Sequence, residues 1–137
     1  MAKVKVETEL DQAPQEVWDL IGGFDALPDW HPAVEKSELE EEGSMRRLSL
    51  VGGGTIVEKL EKKSDNERVY SYSIVESPLP VANYKATISV KDDGSGKAKV
   101  EWSSEFTASG ASENDAVAVI EGIYQAGLDN LKKMFGG

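Results

Sequence analysis

The sequence has no cysteine and only one histidine, His31. Without cysteine, the chain cannot form disulfides, use a thiolate nucleophile or bind zinc through sulfur. One histidine also cannot build the cluster of several histidines found at many metal sites. We therefore expect neither a metal site nor a cofactor.

Positive charge is scarce, because 15 lysines and arginines stand against 25 acidic residues, for a net charge of −10 and a pI of about 4.6. Binding to nucleic acid requires a basic surface, so no nucleic-acid partner is expected. Attraction to an anionic membrane is disfavoured for the same reason. The acidity favours solubility.

Long apolar runs are missing too, and no stretch approaches the roughly 20 residues of a membrane span. The first residues, Met1 to Val6, alternate apolar and charged side chains and do not resemble a signal peptide. We expect a cytoplasmic protein without membrane insertion. Its 137 residues match the size of one domain, and without a repeat or linker we predict a single domain over residues 1–137.

Apolar residues alternate with polar ones in several segments, which predicts strands with one buried face. A Pro14 start and a Gly22-Gly23 stop bound a short helix, and a second helical turn is expected near residues 25–29. From Ser112 to about Phe135, before Gly136-Gly137, apolar residues recur at helical spacing. The seven predicted strands cover residues 3–10, 33–42, 45–51, 55–62, 68–76, 83–91 and 98–108.

This order predicts an α+β fold. Strands joined by tight turns favour an antiparallel meander. The apolar stripe of the last helix has to be buried against the concave face of the curved sheet. We therefore expect a sheet of about seven strands wrapped around a long C-terminal helix, with two short helices after the first strand and a ligand-sized space between sheet and helix.

The chain resembles the START-like superfamily, also called the Bet v 1-like or helix-grip fold. Within it, the chain is most similar to the bacterial polyketide cyclase/dehydrase and lipid-transport (SRPBCC) group. The resemblance covers essentially the whole chain. It is carried by Val17-Trp18, Trp30-His31-Pro32-Ala33-Val34, Met45-Arg46-Arg47-Leu48, Val57-Glu58-Lys59-Leu60, Tyr84, Trp102, Tyr124, Gly127-Leu128 and Leu131. It implies a cavity for a small hydrophobic molecule.

Two turns are also similar to loops that close the cavity in plant abscisic-acid receptors of the same superfamily. Gly52-Gly53-Gly54-Thr55 resembles their gate, and Ser77-Pro78-Leu79-Pro80 stands at the place of their latch. The receptor latch reads His-Arg-Leu, so hormone signalling through a phosphatase partner is not implied. The three glycines lack the lysine and the following helix of a phosphate-binding loop, and we interpret them as a flexible hairpin tip.

Alternation places Arg46 on the face of Leu48 and Glu58 on the face of Ile56 and Leu60. If both faces point inward, the two charges lie on neighbouring strands and can pair. One interpretation is a self-contained buried salt bridge. The others are contact with a polar group of a ligand, or an acid–base role for Glu58, the only catalytic candidate.

Aromatic residues with hydrogen-bonding tips recur on the inward face of the strands, and they serve either as core or as cavity wall. The full set of candidate ligand-binding residues is Trp30, Arg46, Leu48, Glu58, Tyr70, Tyr72, Leu79, Tyr84, Trp102, Ile120 and Tyr124. For His31 we expect a surface or capping role, with the cavity mouth as the alternative. Helical Gly122 and Gly127 indicate either close packing or open space.

Three functions fit these observations. The first is binding or carriage of a small hydrophobic ligand, such as a lipid, polyketide or aromatic compound. The second is a cyclase or dehydratase acting on a polyketide-like substrate, with Glu58, Arg46 and tyrosines handling protons. The third is an interaction module with a filled core. The first is preferred because the resemblance and the inward aromatic residues agree, and no catalytic constellation is evident.

Overall fold

The computed structural model describes residues 2–135, so Met1 and the predicted helix stop Gly136-Gly137 lie outside the described residues. Seven strands and three helices follow one another in the predicted order. The strands are β1 (Ala2–Leu10), β2 (Val34–Glu40), β3 (Met45–Leu50), β4 (Thr55–Ser64), β5 (Val69–Glu76), β6 (Val81–Asp92) and β7 (Ala98–Ala108). The helices are α1 (Pro14–Ile21), α2 (Leu27–Trp30) and α3 (Glu113–Met134).

All seven strands form one antiparallel sheet in the order β1-β7-β6-β5-β4-β3-β2. Strands β2 to β7 form a meander, while β1 pairs with β7 at the far edge. The connection from β1 to β2 therefore has to cross from one edge of the sheet to the other, and α1 and α2 lie on it. Two register shifts in β4, at Val57/Glu58 and between Leu60 and Lys62, add the local twist that bends a sheet.

The second short helix begins later than expected, at Leu27 rather than near residue 25. Pro28 occupies its first turn, where a missing backbone N–H costs nothing. The helix ends at Trp30, and the extended His31 leads to β2.

The long helix α3 begins as predicted at Ser112, whose hydroxyl accepts a hydrogen bond of 3.1 Å from the Asp115 backbone N–H. Its buried stripe packs against β1, β7 and α2, so the helix lies across the concave face of the sheet. The stripe consists of Ala116, Ile120, Tyr124, Gly127, Leu128 and Leu131. Among residues 2–135, no helix is both long and apolar enough to cross a membrane.

Candidate ligand cavity

A cavity of about 190 Å³ lies between the concave face of the sheet and α3. Its wall is mainly apolar, with side chains from β2 to β7, from α2 and the segment after it, and from α3. Eight of the predicted ligand-binding residues line it: Leu48, Glu58, Tyr72, Leu79, Tyr84, Trp102, Ile120 and Tyr124.

The other three candidates, Trp30, Arg46 and Tyr70, do not line the cavity. Trp30 is buried behind the wall, with its ring centroid 5.5 Å from that of Trp102. Tyr70 packs edge-on against Phe24 at 5.7 Å, in the part of the core that α1 covers. Strand alternation places such residues on the correct face, but it does not show which part of that face the short helices cover.

Arg46 and Glu58 face each other directly across the β3–β4 hairpin. Arg46 Nε donates a hydrogen bond of 2.7 Å to Glu58 Oε1, and Arg46 Nη2 lies 2.6 Å from the same oxygen. Arg46 Nη1 donates to the Phe24 carbonyl at 2.9 Å and to the Tyr70 hydroxyl at 3.3 Å. Both contacts of the carboxylate therefore use one oxygen, and the second, Oε2, is left for other partners on the cavity side.

Aromatic rings enclose the guanidinium of Arg46. Its central carbon lies 4.3 Å from the ring centroid of Phe24 and 4.8 Å from that of Tyr72. Burial alone would lower the pKa of Arg46, but the opposite charge of Glu58 helps to raise it above its ordinary value. The guanidinium therefore stays positively charged. For Glu58, burial raises the pKa above its ordinary value, and Arg46 opposes this shift. The wall thus exposes the acid of the pair and hides the base.

Three tyrosine hydroxyls meet at the cavity wall. Trp102 Nε1 donates to the Tyr72 hydroxyl at 3.0 Å, and the Tyr72 and Tyr84 hydroxyls lie 3.5 Å apart. The Tyr84 hydroxyl is also hydrogen-bonded to that of Tyr124, whose ring stacks on Trp102 with centroids 4.3 Å apart. Burial raises the pKa of all three hydroxyls above the usual 10.0, so each keeps its proton. We call Tyr72, Tyr84 and Tyr124 the tyrosine cluster.

His31 is only 2% exposed, so the expected surface position is wrong, but the expected capping role is correct because His31 is the C-cap residue of α2. Its side chain also lines the cavity. Its Nδ1 accepts a hydrogen bond from the Ala33 N–H at 3.1 Å, and its Nε2 lies 2.8 Å from the Ile123 carbonyl oxygen. Because a carbonyl only accepts, Nε2 carries the hydrogen, and the ring is neutral. Burial lowers the pKa of His31, in agreement with this geometry.

The two helical glycines have different environments. A Cβ atom added at Gly127 would lie 2.6 Å from His31 Cδ2 and 3.1 Å from Trp102 Cζ3, so here close packing is the correct interpretation. Gly122 has no atom within 4 Å of such a Cβ and faces solvent, so it contributes neither close packing nor cavity space.

The two predicted covering turns lie together at the outer end of the cavity. Exposed Val51 and Gly53 line it from the β3–β4 turn, and Leu79 lines it from the β5–β6 turn. A Cβ atom added at Gly54 would be 3.8 Å from Pro78 Cγ, so the two turns are close neighbours. Gly52, Gly53 and Gly54 all have φ between 87° and 107°, where glycine is strongly favoured.

Several wall residues were missed by sequence reasoning, namely Leu27, Val34, Leu50, Ile56, Ile74 and Ile123. Inward alternation alone could have found Leu50, Ile56 and Ile74. No local signal distinguishes Leu27 or Ile123 from ordinary core residues. Among residues 2–135, no three His, Asp or Glu side chains converge on a point that could hold a metal ion.

A curved seven-stranded antiparallel sheet that holds a long C-terminal helix over a cavity is the helix-grip, or Bet v 1-like, fold. The chain belongs to the polyketide cyclase/dehydrase and lipid transport family, whose model matches residues 1–136. The predicted family and fold are thus confirmed. Family and fold together indicate ligand binding or cyclase/dehydrase-type activity.

Solved structures agree with this assignment. The protein XoxI from Bacillus cereus is 43% identical, with a TM-score of 0.96 over 98% of this chain and 96% of that one. An uncharacterised protein from Bacillus thuringiensis is 42% identical, with a TM-score of 0.95 over 99% of this chain and 100% of that one. The Zhui aromatase/cyclase from Streptomyces sp. R1128 shares the fold at 17% identity, with a TM-score of 0.79 over 98% of this chain and 93% of that one. No curated protein matches the chain significantly.

Proposed function

We propose that the protein binds and carries a small hydrophobic molecule in the cavity between the sheet and α3. The observation that carries this proposal is the cavity itself, about 190 Å³ in volume, with a mainly apolar wall and a few convergent polar groups. A filled core, as in an interaction module, would leave no such space. The proposal places the carrier in the cytoplasm, where its acidic surface keeps it dispersed.

The covering turns support carriage rather than permanent burial of a ligand. Release requires a part of the wall that can move without disturbing the core. The tip at Gly52 to Gly54 makes few contacts, since a Cβ atom would meet nothing within 4 Å at Gly52 or Gly53. We propose that this tip and Ser77–Pro80 open together.

A second candidate is a cyclase or dehydratase acting on a polyketide-like substrate. It is favoured by Glu58, a buried carboxyl group at the cavity wall whose pKa is raised by burial. Arg46 opposes that shift and holds one oxygen of Glu58, which makes Glu58 a weaker proton donor. Carriage is therefore the preferred function.

The preferred function can be tested by filling the cavity with a larger side chain. Ile123 is half-buried and lines the cavity, whereas Val119, one turn away on α3, is 40% exposed and does not. Ile123→Trp should abolish the binding of a fluorescent apolar dye. In native mass spectrometry, the variant should also lack the added mass of any co-purified ligand. Val119→Trp should retain both. Equal dye binding by wild type and Ile123→Trp would count against the cavity as the binding site.

The same experiment separates carriage from catalysis. A ligand that is extracted, identified and incubated with fresh protein should be recovered with unchanged mass. Recovery of a product lighter by one water would favour the dehydratase. Loss of that conversion in Glu58→Gln would then assign the proton transfer to Glu58.

A further inference from the structure

The polar groups of the cavity wall have hydrogen-bonding capacity that the protein does not use. Both contacts of the Glu58 side chain involve Oε1, which leaves Oε2 as an acceptor at the wall. Glu58 is 95% buried and lines the cavity, so this acceptor is within reach of a molecule inside the cavity rather than of bulk solvent.

The tyrosine cluster complements the Glu58 acceptor, because it has more hydroxyl protons than internal hydrogen bonds. The three hydroxyls carry three protons, but only two contacts join them, Tyr72 to Tyr84 and Tyr84 to Tyr124. Trp102 only donates to Tyr72 and cannot accept a proton. Whichever way the chain of hydrogen bonds runs, one hydroxyl proton has no acceptor within it. Ser104 Oγ, which is buried without a hydrogen-bond partner, lies beside Tyr124, so the remaining proton can be donated either to Ser104 or to a ligand.

The Glu58 acceptor and the tyrosine cluster are close together. Glu58 and the three tyrosines line the same cavity, and Glu58 and Tyr72 lie on the paired strands β4 and β5. The Arg46 guanidinium that contacts Glu58 has its central carbon 4.8 Å from the Tyr72 ring centroid. A single hydroxyl group of a ligand can donate to Glu58 and accept from the cluster, because a hydroxyl does both.

The charge arrangement disfavours anionic ligands. Arg46 is fully buried and does not line the cavity, and its Nε and Nη1 groups donate to Glu58, the Phe24 carbonyl and the Tyr70 hydroxyl. A carboxylate entering the cavity would meet the Glu58 oxygen without reaching the guanidinium, and like charges in an apolar enclosure repel strongly.

The volume of the cavity limits the size of the ligand. A cavity of about 150 Å³ holds benzene, so about 190 Å³ accommodates roughly eight non-hydrogen atoms by proportion. A single substituted ring fits, whereas several fused rings do not without opening of the wall.

We infer that the cavity selects a neutral, singly hydroxylated monocyclic compound, with its hydroxyl between Glu58 and the tyrosine cluster and its ring against the apolar wall. This inference rests on the proposed function, because it names the class of ligand carried. It separates the protein from carriers of fatty acids and of fused-ring acids.

The test uses the wild-type protein and small compounds with a single aromatic ring as probes. By calorimetry and amide chemical-shift titration, p-cresol should bind about tenfold or more tightly than p-xylene, which lacks the hydroxyl. The methyl ether of p-cresol accepts but does not donate, and should bind more weakly than p-cresol. Benzoate should not bind detectably. Shifts should fall on residues of the cavity wall.

A pair of variants on β4 isolates the acidic group. Glu58→Gln removes the charge at the wall, so the preference for p-cresol over p-xylene should shrink and benzoate binding should become detectable. Glu61→Gln is the control, because Glu61 is exposed and does not line the cavity. It should behave as wild type. Should Glu58→Gln fail to fold, the wild-type comparison of p-cresol with p-xylene, which has the same number of non-hydrogen atoms, still decides.

The outcomes distinguish the two proposals. Equal binding of p-cresol and p-xylene, or tighter binding of benzoate, overturns the ligand class and leaves carriage of a hydrophobic molecule standing. If neither the probes nor the apolar dye bind, the proposed function fails, and the ligand class fails with it.

Discussion

At the scale of single residues, the pair Arg46–Glu58 carries the largest electrostatic energies. Each charge loses its water on folding, and a buried ion pair recovers that cost only with good geometry and further hydrogen bonds. Here the Phe24 carbonyl, the Tyr70 hydroxyl and the enclosing rings supply them. Removing one partner leaves a buried charge without compensation, so single substitutions should cost more than the double substitution.

We predict that Arg46→Met lowers the free energy of unfolding by about 3–5 kcal/mol, because Glu58 is left unpaired. Arg46→Met combined with Glu58→Leu should be clearly more stable than either single variant. Urea denaturation measures both effects. The neighbouring surface pair Arg47–Glu40 is the control, since Glu40→Ala should leave the midpoint nearly unchanged. Additive effects of the two core substitutions would contradict the prediction.

His31 gives a pH dependence with a defined sign. Its pKa is lowered in the native state from 6.5, because burial disfavours the cation and Nδ1 already accepts from Ala33. The unfolded chain therefore binds a proton near pH 6.5 that the native protein does not. Stability should be retained above that pH and decrease as the pH falls below it.

The measurement is the difference between wild type and His31→Gln, which cannot titrate. Wild type should lose stability more steeply between about pH 7 and pH 5 than the variant does. Glu58 contributes an opposite slope, because its pKa is raised, but it is present in both proteins and cancels in the difference. Parallel curves would show that the His31 pKa is not lowered.

At the scale of elements, α3 combines two glycines with opposite consequences. Gly122→Ala should raise the free energy of unfolding by up to about 1 kcal/mol, because alanine favours the helix and its Cβ meets open solvent. Gly127→Ala gains the same propensity but should be destabilising, since its Cβ overlaps the His31 ring, which two hydrogen bonds hold in place. Thermal unfolding of both variants provides the matched comparison. Stabilisation by Gly127→Ala would mean that the ring can move aside.

The positions of the strands and of α3 show how much of the fold could be predicted from the sequence. Period-two alternation indicated most of the strands because they bury one face, and helical spacing with the Ser112 cap indicated α3. The strand predicted over residues 33–42 was acidic and only weakly patterned, and β2 is correspondingly mostly exposed. The Arg46–Glu58 pairing followed from the same alternation and is present.

The depth of a side chain in the core was harder to predict than the face of the sheet on which it lies. Tyr70 faces inward as expected but lies under α1, and Trp30 lies behind Trp102. The burial of His31 depends on Gly127, nearly a hundred residues along the chain, and on the Ile123 carbonyl. Such long-range contacts leave no periodic signal, so the missed features concern packing between elements rather than the elements themselves.

At the scale of the whole molecule, the net charge of −10 is spread over the surface and repels itself in the compact state. We predict that raising sodium chloride from about 0.01 M to about 0.3 M at pH 7 raises the melting temperature, because the salt screens this repulsion. Near pH 4.6, where the net charge approaches zero, the same addition should have little effect. A melting temperature that falls with salt at pH 7 would show that the surface ion pairs dominate.

The edge strand β1 pairs only with β7, and it also supports α3. During synthesis at about 5–20 residues per second, β1 leaves the ribosome several seconds before its partner exists. Throughout that interval its backbone groups and its apolar face, Val4, Val6 and Leu10, have no native partner. Alternating Lys3, Lys5, Glu7 and Glu9 disfavour pairing of this waiting strand with a foreign chain, so the charges of β1 protect the nascent protein as well as the finished edge.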